Sequence, residues 1–159
     1  MPYFQRMTTL KQAELDQPAA AVWELLIDWA GIPKYWGGVP IETMSAVLIG
    51  DRDRAPRTRR ISAGGATIDE ILLHQDNVAR RLYYSVQDDF IPGIRNYMAT
   101  VFVDEIAADR CRVSISGIYD ASDKADGSAS KAFIELVYEA GIIGGMTQYL
   151  KRGAAPAGT

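Results

Sequence analysis

"SKAFIELVYEAGIIGGMTQYLKR", Ser130 to Arg152, is the stretch on which the fold turns. The polar run "DASDKADGSAS" leads into it and offers helix caps at Asp126 or Ser128. From there to Arg152 the chain reads as one helix of about 25 residues, roughly 37 Å at 1.5 Å per residue. That is long enough to cross a whole sheet. Its middle carries Ala140, Gly141, Gly144 and Gly145, where a helix filling a bent sheet would be expected to carry bulk. Two readings stand side by side. The glycines leave an enclosed hollow between helix and sheet, or they let the helix pack closely with no void.

Upstream, six successive segments alternate or are rich in β-branched and aromatic residues: "IETMSAVLIG", "TRRISA", "TIDEILLHQ", "RRLYYSVQ", "RNYMATVFVDEI" and "CRVSISGIYD". Gly64 and Gly65 between two of them suit a tight hairpin of primed type, since glycine reaches positive φ without strain. Short turns between consecutive strands predict an antiparallel meander. Thr8 to Leu15 predicts a further strand at the start. Pro18 then suits the first turn of a helix, with Asp16 or Gln17 as its cap, and Val22, Leu25, Leu26 and Trp29 form one apolar helical face that ends near Gly31. Pro33 opens a short second helical turn, which Gly37 and Gly38 stop. The predicted order is strand, two short helices, six strands and a long helix, an α+β arrangement.

The chain has 159 residues, 48% of them hydrophobic and 23% charged, which is an ordinary globular composition within the range of one domain. We expect a single domain over 1–152 and a flexible tail over 153–159. A net charge of -3 provides no basic field for nucleic acid or anionic lipid. Cys111 is the only cysteine, so no intrachain disulfide is expected, and no apolar run is long enough for a signal peptide or a membrane span. A cytoplasmic location is the simplest expectation. Self-association as a homodimer stays open.

The segments "PAAAVWELLIDWAGIPKYW", "TIDEILL", "RRLYYSV", "IRNYMATVFV", "RVSISGIYD" and "VYEAGIIGGM" together resemble the START-like superfamily, with its Bet v 1-like, polyketide cyclase/dehydrase and lipid-transport members. The resemblance covers about Thr8 to Arg152. It implies a helix-grip fold, in which a seven-stranded antiparallel sheet wraps the terminal helix around an apolar cavity.

Strand parity sorts the residues that such a cavity would see. Ile68, Glu70, Leu72 and His74 share one face, Asp69, Ile71 and Leu73 the other, and both faces carry apolar groups. The resemblance points Glu70 inward, where a carboxylate in an apolar pocket would have a raised pKa and serve as general acid or base. The alternative is a surface glutamate on a rim. Parity also groups Leu82, Tyr84, Val86 and Asp88; Tyr97, Ala99, Val101 and Val103; and Val113, Ile115, Gly117 and Tyr119. Three tyrosines on one apolar face suit the orientation of a polar group on an aromatic or polyketide-type ligand, or serve as core aromatics bonded to backbone.

His74, the only histidine, lies about 13 Å from Glu70 at four residues along a strand, too far for a dyad. It is expected to be a solvated rim residue. "DRDRAPRTRR" packs five arginines, but no glycine-rich phosphate loop follows, so a solvated hairpin is expected. Either Arg59 or Arg60 should point to the inner face, with Glu70 on the neighbouring strand as its partner. One histidine and one cysteine cannot build a usual zinc site, and no nucleotide fingerprint is present, so neither metal nor cofactor is expected.

All three tryptophans fall within "VWELLIDWAGIPKYW". Trp29 reads as core, Trp23 as a seal with Ile27, and Trp36 as a ligand contact on a lid or wall segment, "PKYWGGVP". The expected site therefore comprises Glu70, Arg59 and Tyr97 as catalytic groups. Trp36, Arg60, Tyr84, Asp88, Val101, Ile115 and Tyr119, with Val137, Ala140 and Gly144 of the terminal helix, would bind the ligand. The expected function is cofactor-free cyclase, dehydratase or lyase-like chemistry on a small hydrophobic molecule. A non-catalytic carrier and a protein-interaction module are the rival readings.

Overall fold

A computed structural model describes residues 3–37, 44–122 and 125–153. Seven strands, β1 (Phe4–Leu15), β2 (Met44–Ile49), β3 (Arg57–Ala63), β4 (Ala66–Asp76), β5 (Arg81–Val86), β6 (Ile94–Ala107) and β7 (Arg110–Ser122), form one antiparallel sheet in the order β1-β7-β6-β5-β4-β3-β2. The first strand thus returns beside the last. Every predicted strand is present, and β1 starts four residues earlier than its alternation suggests.

Gly64 and Gly65 take φ of +57° and +80°, so the β3–β4 turn has the predicted primed geometry. Helix α1 (Ala19–Ile27) follows β1 and runs into a 3-10 segment, Trp29–Lys34, that contains Pro33. Pro18 itself holds the cap position, and its carbonyl accepts the Ala21 and Val22 N–H groups; neither Asp16 nor Gln17 caps the helix. Val22, Trp23, Leu26 and Trp29 are all buried, so Trp23 belongs to the core beside Trp29.

The terminal helix runs without a break from Gly127 to Gly153, as α2 (Gly127–Leu136), a π-helical segment (Val137–Gly144) and α3 (Gly145–Gly153). Of the two predicted caps, Asp126 is used: its carboxylate accepts from Ser128 N and Ala129 N at 3.0 and 3.1 Å. Gly153, expected in the tail, closes the helix, while 154–159 lie outside the described residues.

Three register shifts interrupt the sheet, one of them at Glu105–Ala107 beside the β6–β7 turn, and the other two reset strand parity near the interior. Between Leu72 and His74 the β4–β5 register slips, so that Gln75 pairs with Leu82 while His74 pairs with Tyr83. His74 therefore leaves the face of Glu70, becomes exposed, and stacks on Tyr83 with ring centroids 5.4 Å apart. On β6 the register slips between Arg95 and Met98, with Asn96 at φ +54°, and this keeps Ile94 and Tyr97 both buried although three residues apart.

Candidate ligand cavity

A cavity of about 140 Å³ lies between the π segment and α2 on one side and β2–β6 on the other. Its walls are mainly apolar: Ile61, Ile68, Val86, Ile134, Val137 and Ile142, with Trp36, Phe90 and Phe133 closing the perimeter. Phe90 and Phe133 also line a separate outer groove with Ile91 and Pro92, so these two rings divide inside from outside.

The helix glycines do not create this hollow. A methyl group on Gly141 would come within 2.7 Å of the Trp36 ring, and one on Gly145 would overlap the Tyr35 carbonyl. The Gly37 N–H donates to the Gly141 carbonyl at 3.2 Å. Gly141 and Gly145 thus let the Tyr35–Gly37 stretch lie directly on the helix, and close packing is their job. The hollow arises elsewhere on the helix, on the side of Val137 and Ile142. Trp36 is wedged between the two surfaces, walling the cavity on one side and an outer groove with Ala140 and Gly144 on the other. Its indole N–H is buried and has no hydrogen-bond partner among the described residues. The rest of the expected lid, 38–40, lies outside the described residues.

Arg59 and Glu70 face each other across the β3–β4 pair. Alternation sends Arg59 inward and Arg60 outward, where Arg60 is exposed and pairs with Asp69 at 2.9 Å. Arg59 is 3% exposed, and its Nε and Nη2 both reach Glu70 Oε1 at 2.6 Å. Nη1 donates to the Trp29 carbonyl at 3.3 Å, and the guanidinium carbon sits 3.6 Å above the Trp29 ring centroid. The Trp29 indole N–H in turn donates to the Glu70 carbonyl at 3.2 Å. Burial is the largest single influence on Arg59 and works against its charge, but Glu70 together with the Tyr35 and Tyr84 hydroxyls outweighs it, so the guanidinium pKa is raised. Glu70 is therefore held by a cation through Oε1, and Oε2 receives neither Arg59 bond. The apolar isolation expected for it is absent.

A second polar group lies among the tyrosines. The Tyr97 and Tyr138 hydroxyls are hydrogen-bonded to each other inside the core. Gly117 on β7 makes the space: a methyl group there would overlap the Tyr138 hydroxyl. Burial pushes the Tyr84 and Tyr97 hydroxyls well above the ordinary tyrosine range, and desolvation pushes Tyr138 up to about 12. All three stay protonated at neutral pH, as donors that also accept. Tyr84 packs edge-on against Trp29 at 5.3 Å, which links this group to Arg59.

Of the expected site residues, Glu70, Arg59, Tyr84, Tyr97, Trp36 and Val137 line the cavity. The others go elsewhere. Val101 and Ile115 belong to the packed core. Tyr119 is buried, and its hydroxyl bonds Ser130 at 3.1 Å under the start of α2. Asp88 lies beyond the end of β5, exposed, with its carboxylate capping the Asn96 N–H at 2.9 Å. Ala140 and Gly144 line the outer groove, as noted. Phe90, Phe133, Tyr138 and Ile142 line the cavity without having been foreseen. None of the four carried a local sequence signal; Tyr138 meets the inward Gly117 of β7 only in the folded chain. Among the described residues no cluster of three His, Cys, Asp or Glu side chains could hold a metal ion. Among the described residues no helix is long and apolar enough to cross a membrane.

The family described as polyketide cyclase / dehydrase and lipid transport matches residues 7–152. No curated protein matches the chain. Among solved structures, a protein from Thermobifida fusca is 25% identical, with a TM-score of 0.74 over 91% of this chain and 93% of its own. XoxI from Bacillus cereus is 20% identical, with a TM-score of 0.75 over 93% and 99%. Norcoclaurine synthase from Thalictrum flavum, solved in complex with dopamine and hydroxybenzaldehyde, is 14% identical, with a TM-score of 0.63 over 98% and 91%. These likenesses establish a Bet v 1-like helix-grip architecture.

Proposed function

Because the chain belongs to the polyketide cyclase / dehydrase and lipid transport family, we propose that it takes up a small, mainly apolar molecule carrying an aromatic ring in the cavity beneath the terminal helix. The observation that carries this reading is an apolar hollow with one ion pair and a tyrosine pair in its walls. Apolar burial supplies the affinity, and a few placed polar groups supply orientation. Trp36, Phe90 and Phe133 stack on or clamp the ring.

The chemistry that fits is proton transfer without a cofactor. Glu70 Oε2 is the acceptor that Arg59 leaves free, so it abstracts or returns a proton on the bound molecule. Arg59 and the Tyr97–Tyr138 pair donate to an oxygen that gains negative charge. A cyclisation, dehydration or lyase-type step would use these groups in this way. The structure of norcoclaurine synthase with dopamine and hydroxybenzaldehyde supports an aromatic ligand by analogy of fold alone.

A carrier without chemistry is the second reading, and the engagement of Glu70 with Arg59 favours it, since a carboxylate tied to a buried cation can be purely structural. Native mass spectrometry of protein from its own source, followed by extraction, tests the uptake. A copurified apolar compound is expected, and its loss in Trp36→Ala places it in the cavity. Repeated empty preparations, or retention unchanged by Trp36→Ala, would remove the proposal. With that compound in hand, turnover abolished by Glu70→Gln selects the enzyme, and its carriage unaltered selects the carrier.

A further inference from the structure

Charge balance and volume together define the ligand class more narrowly. Among the described residues lining the cavity, only Arg59 and Glu70 are charged, and they neutralise each other at 2.6 Å. The remaining polar lining groups are the Tyr84, Tyr97 and Tyr138 hydroxyls and the Trp36 indole, all uncharged. An anionic guest would meet Glu70, and a cationic one Arg59. Neither would find an unspent counter-charge. Burying an unpaired charge costs far more than one good hydrogen bond returns. A neutral guest avoids that cost and is offered both donors and acceptors: Glu70 Oε2 accepts, and the tyrosine hydroxyls do either.

Volume sets the size. At about 140 Å³ the cavity is close to the ~150 Å³ of an apolar cavity known to hold benzene, and below the ~300–1,000 Å³ typical of drug-sized ligands. From these observations we infer that the cavity selects an electrically neutral, single-ring molecule bearing a hydroxyl or similar group that donates and accepts one hydrogen bond. This class excludes fatty-acid carboxylates, amines and fused multi-ring compounds. The inference rests on the cavity-binding reading above.

The test is a panel of probes titrated at pH 7 and followed by NMR through the three indole N–H signals, which the chain's three tryptophans supply. Phenol should shift the Trp36 and Trp29 signals. Benzoate, benzylammonium and 2-naphthol should each bind at least about tenfold more weakly, on the cost of an unpaired charge or of overpacking. Glu70→Gln frees the Arg59 charge, so benzoate should gain at least about tenfold and overtake phenol in that variant.

Wild-type protein binding benzoate or benzylammonium as tightly as phenol would overturn neutrality while leaving the cavity reading intact. Naphthol binding as tightly as phenol would overturn the size limit. If no probe moves the Trp36 or Trp29 signals, this inference and the cavity reading fall together. Should Glu70→Gln not fold, the wild-type panel alone decides.

Discussion

Replacing Glu70 by leucine strands a guanidinium that is 3% exposed. The loss removes two contacts at 2.6 Å and leaves Arg59 the Trp29 carbonyl at 3.3 Å, with the Trp29 ring at 3.6 Å and the Tyr84 ring at 5.6 Å from its guanidinium carbon. Breaking one side of a buried pair costs about 3–5 kcal/mol, whereas replacing both sides by apolar residues of similar volume is often nearly neutral. We therefore expect Glu70→Leu to lose about 3–5 kcal/mol in urea unfolding and on the order of 10 °C in Tm. Arg59→Met should lose less, about 1–3 kcal/mol, because the Glu70 side chain retains 15% exposure and some water. The double variant should return to within about 1 kcal/mol of wild type. A thermodynamic cycle over these proteins reads the coupling directly. If the single losses add to within about 0.5 kcal/mol, the two groups act independently and the ion pair at the cavity wall is not an energetic unit.

Three further outcomes follow from other parts of the structure. Gly145→Ala should destabilise despite a helix-propensity gain of up to about 1 kcal/mol, because its methyl meets the Tyr35 backbone; Gly141→Ala should cost less, since Trp36 is a side chain that can shift, and calorimetry that ranks them the other way contradicts the packing described. Tyr138 is held at about 12 in the fold against 10.0 unfolded, so its contribution is fully present below pH 10 and is lost as pH rises to about 12. That amounts to about 2–3 kcal/mol, and Tyr138→Phe should make the alkaline decline in denaturant midpoints measured from pH 8 to 11.5 shallower, with the buried Tyr84 and Tyr97 hydroxyls keeping the rest of it; an unchanged slope would refute the assignment. Gly117→Ala, which intrudes on the Tyr138 hydroxyl, should cost about 1–3 kcal/mol, and much of that cost should disappear in a Tyr138→Phe background; full additivity of the two would separate the glycine from the hydroxyl.

The strand and helix order was legible because period-2 alternation and the apolar face of α1 are local properties of the chain. The pairing of Arg59 with Glu70 was half legible: adjacency showed that one arginine must turn inward, and the β3–β4 register decides that it is Arg59. The bulge at Leu72–His74 was not legible, because one extra residue leaves an alternating pattern intact on either side while reversing its meaning across the break. The expectation that Asp88 shares the face of Val86 failed because β5 ends at Val86 and parity has no force beyond a strand.

The terminal-helix glycines were legible as small residues but not as contacts. A missing side chain names no partner, and here the partner is the Tyr35–Gly37 stretch, distant in sequence. Cavity volume is a residue of packing among several elements, so no local pattern encodes it. The Tyr97–Tyr138 pair needed the same long-range knowledge, because β6, β7 and the π segment meet only in the folded chain.

The most direct measurement is a crystal structure determined under xenon pressure. Xenon is uncharged and apolar and settles against apolar cavity walls such as those formed here by Ile61, Ile134 and Ile142. The structure predicts density between Trp36, Phe133 and Tyr97, within reach of the Arg59–Glu70 pair. An unfilled, collapsed interior at that place, with xenon bound only in surface grooves, would contradict it.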